Sequence, residues 1–170
     1  MADRFVIKIK DIELVSTNDS YRPTYKGKYA FFRRSKELLA FQKSFSEKLQ
    51  EYTEPFQFFL ETQKQNIPFL GIKLNLILSL PFYMFFYKRK SDDLRPNDTS
   101  NFIKSIEDQL SVFMKIDDKY NVQVSATKCY DENLLLPSVY AIIECVDYKD
   151  YHSRHILDHF GIEGVKKNES

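Results

Sequence analysis

Four stretches of the chain alternate hydrophobic and polar residues, which is the pattern of a β-strand with one buried face. They cover residues 4–10, 71–84, 122–126 and 139–145. Within the longest stretch, Pro81 should end the strand or place it at a sheet edge. Because only a short loop separates the last two stretches, we expect them to form an antiparallel hairpin that turns near residues 133–136.

Apolar residues spaced three and four apart predict helices elsewhere in the chain. The helical stretches are residues 38–52, 99–113 and 150–160, and residues 56–66 are ambiguous but compatible with a short helix. The first helix should end before Pro55, and Asp98, Thr99 or Ser100 can cap the N-terminus of the second. Residues 11–34 and 88–98 show no such spacing and are predicted to be loops.

Strands and helices interleave along the chain, and the last two strands look like a hairpin, so the fold class is predicted to be α+β. We expect a single domain with a mixed β-sheet and flanking helices. Its core should span about residues 4–147, followed by a C-terminal helix and tail at about 150–170. A chain of 170 residues can bury roughly two-thirds of its unfolded surface and needs no disulfide or metal to be stable.

The composition excludes several classes of protein. With only four glycines, no dinucleotide-binding or phosphate-binding glycine motif can be assembled. Cys129 and Cys145 lie in the two strands of the expected hairpin, on the order of 20 Å apart, so we expect no disulfide between them. Reduced cysteines are typical of intracellular proteins, and we therefore expect a cytoplasmic location. The apolar run at residues 67–87 alternates with a period of two, so we expect no membrane span.

A basic and aromatic segment lies at residues 20–36. Its 17 residues hold six cations and no acid, in a chain of net charge +1, and five aromatic residues are interleaved with them. The cations are Arg22, Lys26, Lys28, Arg33, Arg34 and Lys36, and a second basic patch consists of Lys88, Arg89 and Lys90 with Arg95. Such segments neutralise phosphates and stack on bases, which predicts nucleic-acid binding, although a solvated basic loop is the simpler alternative.

Acidic residues follow the second patch. Asp98, Lys104 and the pair Asp117–Asp118 offer carboxylate oxygens beside a lysine, the set that Mg²⁺-dependent phosphodiester chemistry requires. Each residue also has an ordinary structural explanation: a helix cap for Asp98, an i, i+4 pair with Asp108 for Lys104, and a polar turn for the aspartate pair.

The order and spacing of these residues resemble the RusA family of Holliday junction resolvases. The run R-P-N-D-T-S-N-F-I-K-S-I-E-D-Q-L, followed by I-D-D and a strand, is similar to the family's R…D-x-D-N-x-x-K-x-x-x-D-x-L segment and its later D-D pair. Six positions match within one helix-sized window. The earlier S-T-N-D-S-Y-R is similar to the family's N-terminal N…Y region, and the likeness covers residues 17–36 and 95–128.

The resemblance implies a homodimeric, Mg²⁺-dependent endonuclease, with Mn²⁺ as a possible substitute, that cuts four-way branched DNA and is often encoded by phages or prophages. It places catalytic roles on Asp98, Lys104 and Asp118, and metal binding on Asp98 and Asp118. We expect Asp117, next to Asp118, as a further metal ligand. The residues expected to bind DNA are Arg22, Lys26, Lys28, Arg33, Arg34, Lys88, Arg89 and Lys90.

One motif position departs from the family. Ser100 stands where the second aspartate of D-x-D is expected, and a neutral hydroxyl is a poorer Mg²⁺ ligand than a carboxylate. Asp117 or the pair Asp92–Asp93 could supply the missing oxygen. Two alternatives to an active nuclease follow: a junction-binding protein that has lost hydrolysis, and a protein-interaction module that uses the same fold without DNA.

The length of the second helix constrains the site. A helix over residues 99–113 spans about 21 Å, which would separate Asp98 from Asp118. For one metal ion to contact both, the helix must be short, the following chain must run back along it, or a partner subunit must supply the second carboxylate.

The three histidines form another candidate. His152, His155 and His159 would share one face of a helix near Asp158, where Zn²⁺ or Mn²⁺ could bind, although such a set is more often an exposed polar face.

Overall fold

The computed structural model describes residues 4–16, 21–26, 28–85 and 100–151. Its strands are β1 Arg4–Ile9, β2 Tyr21–Lys26, β3 Tyr29–Arg34, β4 Leu70–Leu80, β5 Asn121–Tyr130 and β6 Ser138–Asp147. Its α-helices are α1 Lys36–Leu49, α2 Thr53–Asn66, α3 Phe82–Phe85 and α4 Ser100–Met114. Short 3₁₀ turns lie at Gln50–Tyr52, Asp118–Tyr120 and Tyr148–Tyr151.

The main sheet has four strands in the order β1-β6-β4-β5. β4 runs parallel to β5 and antiparallel to β6, and β1 runs antiparallel to β6, so the sheet is mixed. Every second side chain of β4 from Ile72 to Leu80 is apolar and at most 1% exposed, and these side chains face the helices. The predicted fold class, a single α+β domain with a mixed sheet and flanking helices, is confirmed.

The predicted hairpin of the last two strands is wrong. β4 lies between β5 and β6, and both pair with it rather than with each other. β4, the most apolar strand, takes the central position, where both of its edges are hydrogen-bonded. The connection between β5 and β6, residues 131–137, crosses the end of β4. There the Asp131 amide donates to the Leu80 carbonyl at 3.1 Å. Neighbouring strands are about 4.8 Å apart, so seven residues cross β4 easily.

Pro81 ends β4, which was one of the two roles predicted for it. The strand stops at Leu80, and the expected strand residues after it are instead the short helix α3. Because β4 is central, the other alternative, an edge position, is excluded.

The two cysteines are free and far apart, as expected, but the strands that carry them are not paired with each other. Cys145 faces Ile72 and Cys129 faces Ser79 across β4, which separates them by about 24 Å along the strand. Burial raises the pKa of the Cys145 thiol to about 11, so this thiol stays protonated near neutral pH.

Three helices cover one face of the sheet and enclose the core with it. The Ser35 hydroxyl caps α1 by accepting from the Leu38 amide at 3.0 Å. The first predicted helix is confirmed, with its start two residues earlier than expected: α1 begins at Lys36 and ends at Leu49, before Pro55. The ambiguous segment is helical: Pro55 falls in the first turn of α2, where a missing N–H is tolerated. Phe56 of α2 packs against Phe113 of α4, with ring centroids 5.2 Å apart.

The predicted loop at residues 11–34 is wrong, because it contains a second, two-stranded sheet. β2 and β3 are antiparallel, with Tyr21 facing Arg34 at one end and Lys26 facing Tyr29 at the other. Pro23 and the exposed side chains on both faces of this hairpin remove the alternation that marks a half-buried strand. The two-residue connection that includes Gly27, between two aromatic-rich runs, was the signal for a hairpin.

In the described part of the chain, no helix is long and apolar enough to cross a membrane. The apolar run that resembled a membrane span is largely β4. The helix predicted at residues 150–160 overlaps the end of the 3₁₀ turn Tyr148–Tyr151, and its remaining residues lie outside the described part of the chain.

Candidate active site

The chain doubles back after α4. Lys115 adopts a left-handed backbone conformation with φ 54°, which ends the helix and turns the chain. Asn121, the first residue of β5, then donates through Nδ2 to Glu107 Oε1 at 2.8 Å. The segment between them therefore runs back along α4, and of the three arrangements that the helix length allowed, this is the one that the structure shows.

This return brings Asp118 to Lys104. The Lys104 ammonium lies 2.9 Å from Asp108 Oδ1, 3.1 Å from Asp118 Oδ2 and 3.9 Å from Glu107 Oε2. The predicted i, i+4 pair with Asp108 is present, together with a long-range pair to Asp118 that was not predicted. About half of the Lys104 side chain is exposed, so the cluster is open to ligands from solvent.

The cluster keeps Lys104 charged. Its hydrogen bond to Asp108 raises the pKa of Lys104 well above its ordinary value; partial burial lowers the pKa, and the bond to Asp118 raises it further. An ammonium with such a pKa does not act as a general base near neutral pH. It can bind or position an anion.

Asp117 has a different environment from its neighbour. Its carboxylate accepts from the Lys119 backbone amide at 3.1 Å and pairs with the Lys119 ammonium at 3.1 Å. The backbone hydrogen bond is the largest cause that lowers the pKa of Asp117. Asp117 therefore starts the turn as a polar cap and stays ionised, whereas Asp118 contacts α4.

A groove of about 960 Å³ contains this cluster. Lys104, Asp108, Asp117 and Asp118 line it, together with α1 and the open end of the hairpin. The hairpin contributes the cross-strand pair Tyr21 and Arg34, and the Arg34 guanidinium contacts Gln42 Oε1 at 3.4 Å. The basic segment and the acidic cluster, recognised separately in the sequence, therefore share one groove.

The family model described as endodeoxyribonuclease RusA matches residues 20–142, which is more than half of the chain. The chain belongs to the RusA endodeoxyribonuclease family. The matched range begins just before the hairpin and includes α4 and the returning turn, the elements that line the groove. RusA membership implies a junction-resolving endonuclease. A search of curated proteins gives no match.

The described residues hold part of the site expected for a RusA protein. Lys104, Asp117 and Asp118 lie in the groove. Arg34 lines it, and Lys28 and Arg33 are exposed on the same hairpin. Arg22 and Lys26 are residues of β2.

Other predicted site residues lie outside the described part of the chain. They are Lys88, Arg89, Lys90, Asp92, Asp93, Arg95, Asp98, His152, His155 and His159. Ser100 and Asn101 are the first two residues of α4, so the motif reaches the helix at the end where Lys104 also lies.

The chemistry of the groove suits a hard divalent cation. Asp117 and Asp118 offer carboxylate oxygens, the ligands that Mg²⁺ prefers, and each side chain is about half exposed. Among the described residues, no three ligand-type side chains converge to hold a metal ion. Asp98, two residues before α4, remains the predicted third carboxylate.

Sequence reasoning missed several lining residues. Tyr21 and Gln42 were not predicted to face the site, and Asp108 was considered only as a partner of Lys104. The position of Asp108 in the family motif was the available signal. Gln42 carried none, because its role depends on how α1 packs beside the hairpin.

Proposed function

We propose that this chain is a Mg²⁺-dependent endonuclease that cuts four-way branched DNA. The observation that carries the proposal is the position of Lys104, held between Asp108 and Asp118 in a groove that Arg34 also lines, in a chain of the RusA family. A lysine that stays protonated can stabilise the charge that develops on a phosphate, and neighbouring carboxylates can bind a metal ion. Phosphodiester hydrolysis uses both kinds of group.

The basic hairpin would bind the DNA backbone. Lys28 and Arg33 are exposed and Arg34 lines the groove, so phosphates bound along the hairpin lead towards Lys104. Lys104 has three N–H groups, and its two short contacts to Asp108 and Asp118 leave one for a phosphate oxygen or a water molecule. Its role would be to position the scissile phosphate and to stabilise the charge that develops there.

Asp98 and Asp118 would hold the metal ion, with Asp117 as a further oxygen donor. A bound Mg²⁺ would supply an activated water and neutralise the charge on the phosphate, and Mn²⁺ prefers similar ligands. If Asp118 binds the metal, the metal cation lies close to the Lys104 ammonium. Asp108, which also pairs with Lys104, would reduce the repulsion between these two positive charges.

A homodimer is part of the proposal because a four-way junction is close to two-fold symmetric and needs two cuts. The helix-length argument for a shared site no longer supports it, since the returning chain brings Asp118 back along α4 within one subunit. Light scattering tests this point: we expect about twice the chain mass of 20.2 kDa at micromolar concentration. A clean monomer would contradict the dimer.

The decisive experiment incubates the protein with a labelled four-way junction and with a linear duplex, with and without Mg²⁺, and measures both band shift and cutting. We expect salt-dependent binding to both DNAs, tighter binding to the junction, and cutting of the junction in Mg²⁺ only. Absence of any salt-dependent DNA binding would overturn the proposal and favour a protein-interaction module.

A second candidate rests on Ser100, the first residue of α4, which replaces a motif carboxylate. It is a junction-binding protein without hydrolysis. Tight junction binding with no cutting in Mg²⁺ or Mn²⁺ would favour it over the nuclease.

A further inference from the structure

The tip of the β2–β3 hairpin carries two exposed tyrosines. Tyr25 is 73% exposed and Tyr29 is 80% exposed, which makes them the most exposed tyrosines in the described part of the chain. Both lie in the two cross-strand pairs nearest the turn of the hairpin. Tyr25 faces Ala30 across the hairpin, and Tyr29 faces Lys26, which is the next pair along.

Successive pairs of an antiparallel ladder point to opposite faces, so Tyr25 and Tyr29 lie on opposite faces of the hairpin. If the tip rested on the domain, one face would be covered and one tyrosine would be buried. Both rings are mostly exposed, so the tip stands clear of the rest of the domain on both sides.

The opposite end of the hairpin lies at the groove. Tyr21 and Arg34 form the cross-strand pair there and line the groove with Lys104 and Asp118. Tyr25 is four residues further along β2, which places the tip about 14 Å from that end. A DNA arm with a phosphate in the groove can therefore also reach the tip.

We propose that Tyr25 and Tyr29, one on each face of the hairpin tip, stack on bases exposed at a DNA branch point, and that this stacking selects branched over linear DNA. The inference rests on the proposed function and names what the hairpin recognises. Aromatic rings stack on any exposed base, and a branch point or a single strand offers such bases away from the ends of the DNA. In a linear duplex the bases are covered by their neighbours, so the tyrosines have nothing to stack on.

The charge of the segment favours a nucleic acid over a protein as the occupant. Residues 20–36 hold six cations and no carboxylate, so the rings stand in a surface suited to a polyanion. The cations would bind branched and linear DNA alike because both carry the same backbone. The cations of the hairpin would therefore provide DNA affinity, and its two tyrosines would provide the selectivity for branched DNA.

The test uses the double variant Tyr25→Ala/Tyr29→Ala and a four-way junction with 2-aminopurine next to the branch point, without divalent metal. We expect junction affinity to fall by about fivefold to a hundredfold, duplex affinity to stay unchanged, and the fluorescence change on binding to disappear. Tyr25→Phe/Tyr29→Phe keeps the rings and should restore all three values.

Phe58→Ala is the matched control, because Phe58 is an aromatic residue of α2 with 76% exposure outside the hairpin. It should behave as the unmodified protein. Equal junction binding by the double alanine variant, or equal losses on junction and duplex, would overturn the inference while leaving the nuclease proposal intact. If the unmodified protein itself shows no preference for junctions, the proposed function fails and the inference fails with it.

Discussion

Lys104 and Asp118 are 14 residues apart in the chain and 3.1 Å apart in space. The contact joins the second turn of α4 to the 3₁₀ turn before β5, and it exists because the chain reverses at Lys115. It places a carboxylate of the motif next to the lysine of the same motif.

Asp118→Asn should abolish cutting while junction binding survives or strengthens. If Asp118 binds the metal as proposed, the change weakens the metal site. It also removes a negative charge from the groove where the phosphate would bind. We expect the rate of junction cutting to fall about 100-fold or more at saturating Mg²⁺. Gel assays of binding and cutting on one labelled junction measure both effects.

Glu132→Gln is the control for this charge change, because Glu132 is exposed just beyond the far end of β5. It should cut at the unmodified rate. If Asp118→Asn also cuts at that rate, Asp118 is not a ligand and the assignment of the site is wrong.

Lys104→Met should lower the melting temperature by about 1–5 °C near neutral pH, since exposed ion pairs each contribute about 0.2–1 kcal/mol. The pKa of Lys104 is raised above the unfolded value of 10.5. Its pairs therefore stabilise the fold fully below that pH, provided the carboxylates are ionised, and the contribution is lost only as pH rises through the folded pKa. Thermal melts from about pH 6 to 10 should show a constant difference.

Lys43→Met provides the comparison, because Lys43 makes only a 4.0 Å pair with Glu47 on an exposed surface. We expect a smaller loss of melting temperature. A difference between Lys104→Met and the unmodified protein that vanishes between about pH 8 and 10 would show that Lys104 titrates lower than its contacts require.

Periodicity predicted the buried faces well because it reports burial directly. The parity of β4 and the helical face of α4 were both correct, and both elements pack into the core. The order of strands was not predictable in the same way, because the choice of neighbour depends on hydrogen bonds between distant segments. The hairpin β2–β3 was missed because its exposed tyrosines, Tyr25 and Tyr29, produce no burial pattern.

The candidate site was predictable as a set of residues and not as an arrangement. The motif indicated Asp98, Lys104 and Asp118, but three arrangements were compatible with the spacing of the two aspartates. The turn at Lys115 decided between them, and a lysine with positive φ has no sequence signature, unlike a glycine. The approach of Arg34 to the acidic cluster depended likewise on the hairpin β2–β3, which hydrophobic periodicity did not reveal.

Leu76→Ala should destabilise the fold by about 2–5 kcal/mol, because Leu76 lies 1% exposed on the face of β4 that the helices cover. Ile77→Ala is the matched variant on the next residue and the opposite face, where the side chain is only partly buried. It should cost clearly less. Urea unfolding of both variants measures the difference, and equal losses would contradict the assignment of faces in the central strand.

Ser100→Asp tests the position where this chain departs from its family. If the serine marks a vacated ligand position, the new carboxylate on the first turn of α4 should lower the Mg²⁺ concentration for half-maximal cutting, or create cutting where there was none. The helix N-terminus also favours a carboxylate there by about 0.3–1 kcal/mol.

The competing hypothesis is that the site has been rebuilt around Asp117 or the pair Asp92–Asp93. An added charge would then repel the phosphate and slow the reaction. Metal titrations of junction cutting by the two proteins separate these outcomes. Val112→Asp, at a 73% exposed position on a late turn of the same helix, is the control for an added charge in the groove. A Ser100→Asp variant that binds junctions normally but gains neither rate nor metal affinity would show that Ser100 does not stand in a ligand position.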